Sequence, residues 1–150
     1  MRAVVQRTKW ASVTINGKKK AEIGVGLLIL LGIESGDTEA EAQWLSQKTA
    51  GLRIFDDKDG VMNLSIKDIG GEAIVISQFT LMASYKKGNR PSYLRAAGHE
   101  EAIPLYNLFC DQLSTLLGKP VGTGEFGADM KVELLNDGPV TICMNTKNKE

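Results

Sequence analysis

Glu72-Ala73-Ile74-Val75-Ile76-Ser77-Gln78-Phe79-Thr80-Leu81-Met82 is the stretch on which the reading of this chain turns. Its four consecutive apolar residues, Ala73 to Ile76, have the length and β-branched content of a core strand. They give way to Ser77 and Gln78 before Phe79, so hydrogen-bonding side chains stand where burial demands partners. The segment predicts a buried strand over 72–82 with a polar end. Taken alone, that end is either a satisfied strand terminus or the edge of a site.

Upstream, Val25 to Ile33 predicts a second strand buried on both faces, bounded by Gly24 and Gly32. Arg2 to Arg7 and Trp10 to Ile15 read as two short strands, the latter alternating Ala11, Val13 and Ile15 with Ser12 and Thr14. Asn16-Gly17 supplies a hairpin turn, and Lys18-Lys19-Lys20 beyond it reads as a solvated tip or as an RNA-facing patch. Thr38-Glu39-Ala40-Glu41 fits a capping box, and Trp44, Leu45 and Leu52 give the helix that follows an apolar face, with Gly51 as its stop. Asp56-Asp57-Lys58-Asp59-Gly60 resembles a calcium loop only superficially. An EF-hand register would start at Phe55 and close at Ile66, neither of which ligates a hard cation.

Downstream of the opening strand runs a polar loop with Lys86, Lys87, Arg90, Pro91 and Arg95. Leu105, Leu108, Phe109, Gln112, Leu113 and Leu116 then recur at helical spacing over 100–117, with Gly118 as C-cap. Pro104 places the start of that helix near Glu100 or a little later. Lys131 to Leu135 and Pro139 to Thr146 predict two further strands. The expected fold is α+β over residues 1–150, a single domain of mostly antiparallel strands with two main helices.

Composition narrows the function. Eighteen basic residues cancel eighteen acidic ones among 150, which argues against a protein that coats nucleic acid non-specifically. Cys110, Cys143 and His99 are the whole Cys and His inventory, too few for a Cys/His zinc site. Both cysteines fall in apolar surroundings and read as packed small hydrophobes; a thiol enzyme using either is the competing reading. No signal-peptide h-region is visible, and the longest apolar run falls far below the ~20 residues of a membrane span. A cytoplasmic protein is therefore expected, with no membrane partner.

Gly122-Thr123-Gly124-Glu125-Phe126-Gly127 matches the dinucleotide string GxGxxG, but alternating residues follow it where a helix is required. A glycine-rich wall that lets a ligand approach backbone fits better than a cofactor site. His99, beside Gly98 at a predicted helix start, reads as a surface histidine. Any enzyme here works largely without acid–base side chains.

Read together, several strings resemble the D-aminoacyl-tRNA deacylases. They are Ala3-Val4-Val5-Gln6-Arg7, Leu52-Arg53-Ile54-Phe55-Asp56, Ser77-Gln78-Phe79-Thr80-Leu81, Lys87-Gly88-Asn89-Arg90-Pro91-Ser92, Gly127-Ala128-Asp129-Met130 and Asn136-Asp137-Gly138-Pro139-Val140-Thr141. The third and last carry most weight, in order and about 60 residues apart. The resemblance implies a barrel-like sheet and hydrolysis of the ester between a D-amino acid, or glycine, and the terminal adenosine of tRNA. It implies a homodimer with the active site at the interface, a cis Gly138-Pro139 reaching into the partner's pocket to exclude L-amino acids, and no cofactor or metal.

By the same resemblance Ser77, Gln78, Phe79 and Thr80 are the catalytic segment, with backbone N–H groups stabilising charge and the substrate's 2′-hydroxyl assisting water. Thr80 ranks as a positioning residue rather than a nucleophile, since the sequence places no base beside it. Phe126 and Met130 are expected as adenosine walls, and Lys86, Lys87, Arg90 and Lys18 to Lys20 as candidate tRNA contacts. Gly98-His99 and Thr8-Lys9-Trp10 depart from the family pattern. The alternative is a non-catalytic binder of aminoacyl-tRNA ends.

Overall fold

The computed structural model describes all 150 residues. Its frame is one long strand, β1 (Arg2–Ile15), which pairs along both edges. On one side its first half lies antiparallel to β3 (Gly26–Gly32), and its second half to β2 (Lys18–Ile23). On the other side it pairs antiparallel with β8 (Met130–Asn145) over nearly its whole length. The two short strands expected at the N-terminus are therefore one, and the two expected at the C-terminus are one as well. The polar Thr8-Lys9 gap is a bulge in a continuous strand, where register shifts against β8 on either side of Thr8.

β3 pairs in parallel with β6 (Glu72–Ser77), which pairs in parallel with the short β7 (Gly122–Thr123). The sheet is mostly antiparallel, as expected, with a parallel seam that periodicity did not announce. It curls until β7 returns to β2: a Cβ added at Gly122 would lie 3.0 Å from Ala21 Cβ. This nearly closed barrel encloses Ala11, Val13, Ile23, Leu28, Ile74 and Ile76. Asn16 and Gly17 both take positive φ, 51° and 73°, and so close the β1–β2 hairpin in two residues.

Helices α1 (Glu39–Gly51) and α2 (His99–Leu117) cover the outer face of the sheet, sharing a larger core with Val5, Leu27, Ile29 and Val75. Glu41 reaches back to accept from the Thr38 N–H at 2.7 Å, completing the expected cap. Gly118 ends α2 at φ 68°. Pro104 sits in the second turn of α2, exposed, where the missing N–H costs one helical bond. The acidic run becomes the β4 (Phe55–Asp56) to β5 (Met62–Leu64) hairpin, with Asp57 Oδ1 accepting from the Asp59 and Val61 N–H groups. No helix is long and apolar enough to cross a membrane.

The parallel seam tests how tightly this frame is specified. A Cβ at Gly26 would fall 1.8 Å from the Glu72 carbonyl oxygen, whereas nothing lies within 4 Å of one at Gly51. Gly26→Ala should cost about 3 kcal/mol or more, or abolish folding. Gly51→Ala should be neutral or gain about 0.5 kcal/mol. Urea midpoints at unchanged m-value check both.

Candidate active site

The strand at the centre of the sequence reading ends earlier than expected. β6 stops at Ser77, and Phe79–Met82 form a single 3₁₀ turn. Gln78 at the junction donates its N–H to the Leu31 carbonyl at 2.8 Å, which pins the turn to the end of β3. The Gln78 side-chain amide donates to Thr80 Oγ1. At the start of such a turn the Phe79 and Thr80 N–H groups have no intrahelical acceptor.

Beside this turn lies a cavity of about 580 Å³, lined mainly by apolar groups. Leu31 of β3 and Ile33 just beyond it line the cavity, together with Ser77, Gln78 and Phe79. The opposite wall is Phe126 to Met130, and Ala96, Ala97 and His99 complete it. Five of the eight sequence-predicted site residues thus meet at one place: Ser77, Gln78, Phe79, Phe126 and Met130. Thr80 stands just behind them, its hydroxyl engaged by Gln78 and by no titratable base.

The glycine-rich segment ends in residues that line the cavity, and a strand, not a helix, follows it. A Cβ at Gly124 would come 2.3 Å from Met130 Sδ, so glycine there lets the methionine lie against the backbone. Phe126 is held edge-to-face by His99 at 5.1 Å and by Tyr106 at 6.1 Å. Tyr106 in turn donates to the Val75 carbonyl at 2.7 Å, and burial pushes its phenol well above its ordinary range. His99 and the Ala96-Ala97 pair are cavity residues that the sequence reading did not assign. The one available signal was the departure at Gly98-His99.

Gly138 and Pro139 do not reach this cavity within the chain. Gln6 pairs with Thr141 and Thr8 with Asn136, so 137–140 loop out opposite Arg7 alone. The Gly138–Pro139 peptide is cis. Arg7, only 7% exposed, donates Nε to the Asp137 carbonyl at 2.9 Å and a terminal nitrogen to the Ile54 carbonyl at 2.7 Å. The same nitrogen lies 3.2 Å from Asp56 Oδ1. Asn136 Oδ1 accepts the Val140 N–H at 2.9 Å and closes the loop from the other side. Arg7 pairs with Leu27, four residues before Leu31, so the Gly-Pro loop lies at the far end of β3, about 13 Å or more from the cavity.

The cysteine readings divide. Cys110 is buried on α2, and its thiol is pushed up to about 12 by burial. Cys143 is exposed on β8 and was wrongly expected to be packed, because the outward face of that strand carries apolar residues too. It borders a second cavity of about 620 Å³ near Trp44, which contains none of the predicted site residues. No group of three or more His, Cys, Asp or Glu side chains is arranged to hold a metal.

A family model described as D-Tyr-tRNA(Tyr) deacylase matches residues 4–145. The chain is 67% identical to the D-aminoacyl-tRNA deacylase of Phocaeicola vulgatus and 65% identical to that of Bacteroides thetaiotaomicron, each over the full length of both chains. Among solved structures, the c-Myc DNA Unwinding Element Binding Protein superimposes with a TM-score of 0.91 at 41% identity, covering 97% of this chain and 98% of that one. A probable eukaryotic D-amino acid tRNA deacylase shares the fold at a TM-score of 0.82 and 16% identity, covering 95% and 97%. The fold and these matches define a hydrolase. The chain belongs to the D-aminoacyl-tRNA deacylase family.

The cavity wall at Ala96-Ala97 is anchored by charge. Glu34 accepts from Arg95 Nε at 2.7 Å, and Lys147 Nζ lies 3.3 Å from its other oxygen. Burial pushes the Glu34 carboxyl up, but the hydrogen bonds from Arg95 and Lys147 outweigh it and hold the group below 4.5. A depressed carboxylate contributes stability that is complete above its unfolded value and is lost as pH falls through the folded one. The melting temperature should therefore drop on acidification below pH 4.5, and Glu34→Gln should flatten that acid limb. At pH 7 the substitution should cost about 1 kcal/mol, since Arg95 is half exposed. Thermal melts from pH 3 to 7 read both effects.

Proposed function

We propose that the whole chain, 1–150, acts in the cytoplasm as a deacylase of D-aminoacyl-tRNA and glycyl-tRNA, on sites shared between two copies. The observation that carries this is the separation, on one chain, of the two segments that carry the family resemblance. Ser77 to Phe79 border the cavity, while the Gly138-Pro139 loop is clamped by Arg7 at the other end of β3. A loop so held cannot swing to its own cavity, and an exposed one can enter a second copy's. Pairing about a two-fold axis would then complete two equivalent sites.

In this reading Phe126 and Met130 hold the terminal adenosine and Gln78 orients the ester. A water oxygen attacks the ester carbonyl carbon, losing a proton by way of the substrate's 2′-hydroxyl. The resulting oxyanion is stabilised by the free N–H groups of Phe79 and Thr80. Collapse breaks the bond to the ribose oxygen, which takes up the proton. The partner's Gly138 and Pro139 carbonyls stand beside Cα. There they leave room for hydrogen and collide with a side chain, so L-esters are rejected sterically. Glycine has nothing to collide and is hydrolysed as well.

Release of amino acid from D-tyrosyl-, glycyl- and L-tyrosyl-tRNA, with EDTA present, tests the activity. The first two esters should be lost and the third spared; binding without hydrolysis would favour a non-catalytic binder. Thr80→Ala should slow turnover roughly tenfold, about 1.4 kcal/mol of barrier. A trapped acyl-Thr80 would overturn its positioning role. Shared sites are tested by mixing two inactive variants, Gln78→Ala and Gly138→Ala. A Cβ at Gly138 would press on Val140 Cγ2 at 2.8 Å and on the Arg7 guanidinium at 3.0 Å. Refolded together, they should regain about a quarter of the wild-type activity, from the one intact site of each mixed pair. No recovery would contradict the shared site.

A further inference from the structure

The segment from Phe79 to Gly98 contains no acidic residue and four cations, in a chain whose net charge is zero. Its centre is a hairpin closed by reciprocal bonds between Ser84 and Ser92, at 2.8 and 2.9 Å. Both legs of that hairpin emerge from the cavity. One leads from the turn that carries Phe79 and Thr80. The other leads back into Tyr93, whose ring meets Phe79 edge-on at 5.1 Å, and then into Ala96 and Ala97 of the wall.

Arg95 is committed to Glu34, but Lys86, Lys87 and Arg90 at the tip form no ion pair. Tyr85 beside them is 80% exposed and Leu94 is 94% exposed. Unpaired cations interleaved with an exposed aromatic ring are what a single-stranded nucleic acid binds, by phosphate contact and by base stacking. The other candidate, Lys18 to Lys20, is weaker: Lys19 is held by Glu22 at 2.8 Å.

We propose that the 84–92 hairpin is the grip for the unpaired 3′ end of the tRNA, with Lys86, Lys87 and Arg90 on successive phosphates and Tyr85 beneath a base. This rests on the reading of the cavity as the site of the terminal adenosine. The distances agree. With three or four residues on each side of the tip, it stands at most about 10–13 Å beyond Ser84 and Ser92. At about 3.4 Å of rise per stacked nucleotide, that spans the three nucleotides preceding the one in the cavity. The hairpin therefore distinguishes a charged tRNA from a free aminoacyl nucleoside, which the cavity alone cannot do.

The test compares D-tyrosyl-tRNA with D-tyrosyl-adenosine, the nucleoside ester that reaches the cavity but has no phosphate, for wild type and for K86A/K87A/R90A. The triple variant should raise KM for the tRNA roughly tenfold or more near 0.1 M salt and lower the slope of log KM against log salt by about 2. Its kcat, and its kinetics on the nucleoside ester, should match wild type. The charge-preserving K86R/K87R/R90K should restore the tRNA KM, and Tyr85→Ala should raise it without changing the salt slope. An unchanged slope in the triple variant overturns the proposal, as does a slope lost instead in K18A/K20A. Equal loss on both substrates overturns it too, because the hairpin would then act on the cavity's shape. A wild-type protein that hydrolyses neither ester fails the deacylase reading itself, a different result from all of these.

Discussion

The two-sided pairing of β1 is the constraint from which the rest of this architecture follows. A strand with β3 and β2 on one edge and β8 on the other must bend where its neighbours change, and the bend falls at Arg7-Thr8. There the ladder to β8 is interrupted and four residues, Asp137 to Val140, are left without partners on β1 other than Arg7. A buried guanidinium is the group able to satisfy such a place, since its rigid fork donates in several directions at once. Arg7 uses it on Asp137, Ile54 and Asp56, joining β1, the β4–β5 hairpin and the loop in β8. One side chain thus ties together three segments far apart in sequence.

The same frame puts the site where the parallel seam ends. β3 and β6 run in one direction, so their last residues, Leu31 and Ser77, lie side by side. Chain leaving parallel strands must turn away over the surface, and the turns it makes, Phe79–Met82 and Ile33 onward, become the cavity's rim. The wall opposite is supplied by the segment between β7 and β8. Gly124 within it lets Met130 lie against backbone.

What could be read from the sequence divides along physical lines. The buried strands expected at 25–33 and 72–82 (the second ending early, at Ser77), the capped start of α1 and the glycine stop of α2 were legible because each is decided by neighbours a few residues away. Strand continuity was not. Thr8-Lys9 looks like a break after Arg7, because the carbonyls that make a buried arginine tolerable within a continuous strand come from residues 47 and 130 positions distant. Pairing direction was equally hidden: an apolar run such as Ala73 to Ile76 has the same periodicity beside a parallel neighbour as beside an antiparallel one. Ser77 to Phe79, Phe126 and Met130, singled out by the family resemblance, line one cavity. His99 and Ala96-Ala97 were missed, because helix starts and small residues carry no chemical signal until a cavity forms beside them.

The β1–β8 ladder also has a consequence for synthesis. Val5 pairs with Ile142, which leaves the ribosome 137 residues later. At translation rates of 5–20 residues per second the outer edge of β1 stays open for roughly 7–27 s after it is made. β3 can cover one edge early, but nothing else in the chain covers the other. An unpaired edge of that length is a template for strand addition from a neighbouring chain. The nascent protein is therefore most vulnerable to aggregation just before its final strand arrives, and a chaperone that binds extended apolar segments has most to protect in that interval.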